Sequence, residues 1–153
     1  AIANIKRGAG LNSPQPKYIL LNRYDQVGGL IHIFLEHKVP IAIYKSHNNA
    51  VFELETRYIR PVIKSPCIKS FRIEDSNNYC IFPYDEGNRD SVSIRGLNDT
   101  CELLVRYLLG NKNLIEKQSE RSRSIARGSD FYSLSKVGIY TFSENIVAFR
   151  DNT

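Results

Sequence analysis

Methionine and tryptophan are absent from this 153-residue chain, and cysteine appears only three times, at Cys67, Cys80 and Cys101. Three widely spaced cysteines make no CxxC pair, so neither a zinc ribbon nor a disulfide framework is expected, and a reducing compartment is the simpler reading. No apolar run is long enough to span a bilayer and the first residues carry no signal-peptide pattern, so no membrane partner is expected. With no methionine even at position 1, the chain is expected to be a domain taken from a longer protein. GxSxG, the Walker-type GxxxxGK[ST] and GxGxxG are all missing, which leaves nucleophilic and nucleotide-dependent catalysis without a carrier; Gly8-Ala-Gly10 is a lone GxG in a loop.

What is present is ordinary bulk with an unusual distribution of charge. An apolar fraction of 42% and a charged fraction of 24% suit one globular domain over residues 1–153. The net charge is +5. Five cations, Arg57, Arg60, Lys64, Lys69 and Arg72, fall in one stretch without an acid, interleaved with Pro, Ile, Val and Phe. Residues 74–102 hold seven acids against Arg89 and Arg95, and are expected to face away from any polyanion.

The first half reads as a sheet. After an irregular start over 1–16, short β-rich runs are expected at Lys17–Leu21, Leu30–Leu35, Val39–Tyr44, Val51–Leu54 and Cys80–Phe82, the last ended by Pro83. Asp25–Gly29 reads as a turn and Lys45–Asn49 as a polar loop. Pro61 and Pro66 require 59–73 to be extended or turned. One main helix is expected near 99–118: Asp99 and Glu102 have capping-box spacing, and Leu103, Leu104, Tyr107, Leu108, Leu114 and Ile115 follow at helical intervals. The exposed tail Lys117–Arg127 carries Arg121, Arg123 and Arg127, and a closing strand is expected at Asn145–Arg150. The expected class is α+β, with a mixed or antiparallel sheet and one main helix in the C-terminal half.

Arg and Lys neutralise phosphates irrespective of sequence, whereas base edges are read by a few Arg, Lys, Asn or Gln side chains. Arg57, Arg60, Lys64, Lys69, Arg72, Arg121, Arg123 and Lys136 are the candidates for the first task. Lys45, His47, Asn48 and Asn49 are the candidates for the second. The bland alternative is a set of solvated faces. Tyr132, beside Lys136, belongs either to a DNA-facing edge or, as Phe131 and Tyr140 do more naturally, to the core. Glu53 and Glu55, on one side of a strand, suggest a Mg²⁺-dependent nuclease as a rival, although a matching Asp and Lys arrangement is missing. His32, His37, Cys67 and Cys80 lack the spacing of a metal site.

Three blocks resemble a known family. The first is Ile5–Ser13 leading to Tyr18-Ile-Leu20. The second runs from Phe52-Glu-Leu-Glu55 through Tyr58–Lys64 and Ile68-Lys69 to Ile81-Phe-Pro-Tyr-Asp85. The third joins Tyr107-Leu108, Leu114, Phe131-Tyr132, Lys136-Val-Gly138 and Ile146-Val147. In this order the chain resembles the C-terminal target recognition domain of gamma-class adenine-specific DNA methyltransferases, including type II and fused restriction–modification enzymes. The resemblance implies a double-stranded DNA partner and a prokaryotic cytoplasmic setting. It further implies a catalytic domain elsewhere in the same parent chain, holding S-adenosylmethionine. The catalytic Asn/Asp-Pro-Pro-Tyr/Phe motif of that family is missing here, so the fragment itself is expected to bind no cofactor or metal and to catalyse nothing. A protein-interaction domain with a basic face is the alternative from another class.

Overall fold

The computed structural model describes residues 19–23, 39–46, 48–70, 72–74, 77–123, 130–134 and 137–143. The expected irregular start, the turn at Asp25–Gly29, the strands at Leu30–Leu35 and Asn145–Arg150, and His32, His37 and Arg127 lie outside them.

The protein is α+β. Seven strands are described: β1 (Leu20–Arg23), β2 (Ile41–Ser46), β3 (Val51–Glu55), β4 (Ile59–Pro61), β5 (Ile68–Lys69), β6 (Arg72–Ile73) and β7 (Asn78–Ile81). Five of them form one sheet in the order β3-β2-β1-β7-β4, and β5 and β6 form a separate two-stranded ribbon. Every pairing is antiparallel, with Leu21 opposite Ser46 and Tyr79, Tyr44 opposite Phe52, and Ile59 opposite Ile81. Pro61 is tolerated because β4 is an edge strand among the described strands, where a missing N–H interrupts no ladder. β1 takes in Leu20 and Leu21 of the expected run, whose Lys17 and Tyr18 lie outside the described residues, and β2 continues through Lys45 and Ser46.

The connection from β3 to β4 shapes the sheet. Glu55 ends one edge strand and Ile59 begins the other, joined by a 3₁₀ turn at Thr56–Tyr58. Four residues span at most about 14 Å. A flat sheet would hold its first and fifth strands about 19 Å apart. The sheet is therefore rolled, and its two edges approach one another.

The helical half is α1 (Ile94–Asn98), α2 (Glu102–Gly110) and α3 (Lys112–Arg123). The helix expected over 99–118 is present as two, because the turn after Gly110 places Asn111 at a C-cap whose N–H bonds back to Tyr107. Its start differs from the expected capping box: Asp99 is the C-cap of α1, and the N-cap of α2 is Cys101, which makes no side-chain cap. Glu102 is exposed and pairs with Arg106 at 2.9 Å.

Leu97, Leu104, Val105, Leu108 and Ile115 meet Leu21, Tyr44, Leu54, Ile59 and Ile81 in one core. Phe52 stacks on Tyr107 with ring centroids 4.5 Å apart, which holds α2 against edge strand β3. Tyr132, fully buried, donates its hydroxyl to the Val92 carbonyl at 2.6 Å, and the Leu134 N–H donates to the Tyr84 hydroxyl at 2.6 Å. These bonds moor residues 130–134 to the loop after β7. Tyr132 therefore belongs to the core and lines no external edge.

Candidate functional site

The basic stretch folds as one outer strand and an arm. Arg57 sits in the 3₁₀ turn and Arg60 in β4; Lys64 follows, and Lys69 and Arg72 lie on the ribbon. All five are exposed. β4 and β7 form the base of a long hairpin, and the chain between them continues outward as the β5–β6 ribbon. The Val62 N–H donates to the Asn78 carbonyl at 2.8 Å, and the Lys64 Nζ donates to Asn78 Oδ1 at 2.7 Å. Asn78 thus pins the root of the arm from both backbone and side chain.

Local partners orient the cations. Arg60 Nη1 donates to the Arg57 carbonyl at 2.7 Å, so its guanidinium lies back along the turn. Arg57 lies over the Tyr58 ring, 5.3 Å from its centroid. The Tyr58 hydroxyl donates to Asp85 Oδ1 at 3.0 Å; burial, and then this carboxylate, raise its pKa. Burial pushes the Cys80 thiol, opposite Arg60 in the ladder, up to about 12.

The ribbon has two unlike faces. Lys69 lies directly opposite Arg72, and Ile68 opposite Ile73. Residues two apart share a face of a strand, so Glu74 projects beside Arg72. Arg72 Nη2 lies 2.8 Å from Glu74 Oε1, and Lys69 Nζ lies 4.0 Å from Glu74 Oε2. The acidic stretch therefore does not face wholly away from the basic one: its first member is the counter-ion of two cations. Arg72-Ile-Glu74 carries that signal in its alternation, but a chain-wide charge tally hides it.

The loop candidates divide. Lys45 is a half-buried strand residue in register with Asn22 and Val51, because the hairpin closes at Ser46, whose N–H donates to the Ala50 carbonyl at 2.9 Å. The loop proper is 47–50, and His47 lies outside the described residues. Asn48 is exposed, but its amide oxygen is engaged within the turn: Ser46 Oγ donates to its Oδ1, and the Ala50 N–H approaches the same oxygen at 3.4 Å. Asn49 is exposed, with φ at 64°, and among the described residues its side chain makes no hydrogen bond.

The candidates do not gather in one place. By strand register, the 47–50 loop lies beyond the Ser46 end of the sheet, while the arm leaves from the opposite end, beyond Asn78. Arg121 and Arg123 fall at the C-terminal end of α3. Lys136 lies outside the described residues.

Glu53 and Glu55 do not form an open pair. Glu53 is exposed, while Glu55 is 1% exposed and accepts from the Leu103 N–H through Oε1 and the Leu104 N–H through Oε2. Both oxygens of Glu55 are thereby engaged in capping α2. Among the described residues, no group of three or more His, Cys, Asp or Glu is placed to hold a metal ion, and no helix is long and apolar enough to cross a membrane. Compared with protein-family models, with curated proteins and with solved structures, the chain matches none.

Proposed function

We propose that this domain binds double-stranded DNA and supplies target specificity to an adenine-specific DNA methyltransferase or restriction–modification enzyme of the prokaryotic cytoplasm. Its catalytic domain, with S-adenosylmethionine, is then carried by the same parent chain. One observation carries the reading: five exposed cations follow one another from the 3₁₀ turn through β4 and along its arm, and among the described residues Glu74 is the carboxylate paired with them. A line of cations on a narrow, projecting hairpin suits the charge and curvature of a duplex better than a dispersed basic surface does.

Arg57, Arg60 and Lys64, with Lys69 across the ribbon, take the phosphate contacts; Arg121, Arg123 and Lys136 are the further candidates for that task. Asn49 takes the base-reading role at the loop. Reading adenine requires the amide oxygen and nitrogen of one side chain together, and Asn48 has committed its oxygen to the turn.

Selection from a randomised duplex pool at low and moderate salt tests the proposal. The expected result is an enriched short motif bound with salt-sensitive affinity. Arg60→Ala should weaken binding to all sequences and reduce the salt slope by about one. No retention of DNA even at low salt would overturn the proposal and favour a protein-interaction domain. Ile63 and Ile73, each 50% exposed among the cations, suit such a partner if it is acidic and partly apolar.

A further inference from the structure

We infer that Arg72, held by Glu74, reads a guanine in the major groove and is not one more phosphate contact. This rests on the DNA-binding reading above. A two-stranded ribbon is narrow enough to enter the major groove, where guanine offers O6 and N7 to a guanidinium. The charged face of the ribbon presents Lys69, Arg72 and Glu74 together, and the Arg72 side chain remains 72% exposed despite its ion pair.

Glu74 decides between the two kinds of contact. A phosphate bound to Arg72 would bring a full negative charge against the carboxylate already 2.8 Å from Nη2. The edge of a guanine is neutral and meets far less repulsion. The same carboxylate limits the rotamers of a long side chain and leaves further N–H groups of the guanidinium for O6 and N7. Glu74 is thus a positioning residue, and Arg72 is the reader.

The test compares the full domain with Arg72→Ala, at an exposed position, and Glu74→Gln, at a half-buried one, by randomised-pool selection and by titration of the enriched and random duplexes. Arg72→Ala should erase the preference for guanine at one position. Affinity for the enriched duplex should fall about 5- to 150-fold, and random-duplex affinity by less than about threefold. Glu74→Gln should blunt discrimination at that same position while raising random-duplex affinity by up to about fivefold. A simple structural defect would not select one base position.

An unchanged motif in Arg72→Ala, with equal losses on both duplexes and a salt slope lower by about one, would overturn the inference and make Arg72 a phosphate contact. Wild-type binding that enriches no motif would also overturn it while leaving duplex binding intact. Absence of any wild-type binding would remove the underlying function itself.

Discussion

Glu55 and Leu104, far apart in sequence, meet where β3 ends and α2 begins: the Leu104 N–H donates to Glu55 Oε2 at 2.9 Å, while Oε1 accepts from Leu103 at the same distance. A helix start leaves its first N–H groups without intrahelical partners and carries partial positive charge. A buried carboxylate answers both needs in place of a local cap. Glu55→Ala should cost about 2–4 kcal/mol and Glu55→Gln about half that, since an amide oxygen replaces only one of the two acceptors. Urea unfolding followed by far-ultraviolet circular dichroism measures the loss. An Ala variant as stable as wild type would show that α2 needs no cap from the sheet.

The two adjacent asparagines of the β2–β3 loop should respond in opposite ways. Asn49 occupies the left-handed region that glycine adopts freely, so Asn49→Gly should leave stability within about 0.5 kcal/mol or improve it, whereas Asn49→Val should cost about 1–2 kcal/mol. Asn48→Ala should cost about 1 kcal/mol by releasing Ser46 Oγ and the Ala50 N–H. If Asn49 reads bases, Asn49→Gly changes the selected DNA motif at unchanged thermal midpoint. A changed motif in Asn48→Ala alone would reverse the assignment.

Alkali should unfold the domain earlier than its core predicts. Burial raises the Cys80 thiol from 9.0 to about 12, so between those values the unfolded chain ionises and the folded one does not. Stability is complete below pH 9 and declines as pH rises towards 12, by up to about 4 kcal/mol from this group. The raised phenols of Tyr58, Tyr84 and Tyr132 act in the same direction at higher pH. Cys80→Ala should flatten the decline between pH 9 and 11 in denaturant titrations. A thiol reagent at pH 8 should modify half-buried Cys67 ahead of buried Cys80 and Cys101.

Tyr132→Phe isolates one mooring of the 130–134 segment. Removal of its hydroxyl leaves the Val92 carbonyl without that donor at no cost in ring packing, which predicts a loss of about 1–2 kcal/mol. Faster amide exchange at residues 130–134 should accompany it. Faster exchange confined to α3 would point to a different anchor.

The parts of the fold legible in the sequence are those fixed by short-range chemistry. β-rich composition marked β2 and β3, Pro61 and Pro66 kept the basic stretch extended or turned, with only a 3₁₀ turn at Ser65–Cys67, and Leu103–Leu108 announced α2. The parts hidden from it depend on partners brought together by folding. Asp99 and Glu102 satisfied the spacing of a local cap, yet the capping group came from a strand 48 residues before Leu103. Lys45 looked like loop because it is polar, but backbone pairing with Asn22 and Val51 outweighs that preference. At the candidate site the cations were evident from composition, whereas the commitment of Asn48 to its own turn and of Glu74 to Arg72 depended on side-chain geometry.

The strand order also sets a timetable for assembly. β1, β2 and β3 form a local set of antiparallel neighbours, but the other flank of β1 is filled by β7, and β4 pairs with β7 alone among the described strands. β4 therefore has no ladder until β7 has been made as far as Ile81, whereas the β5–β6 ribbon can pair as soon as Ile73 follows Ile68. The distant pairing is that of Leu20 in β1 with Cys80 in β7, and long-range strand closure of this kind is intrinsically slow. The basic arm is thus rooted on β7, the strand whose place in the sheet waits for that long-range closure.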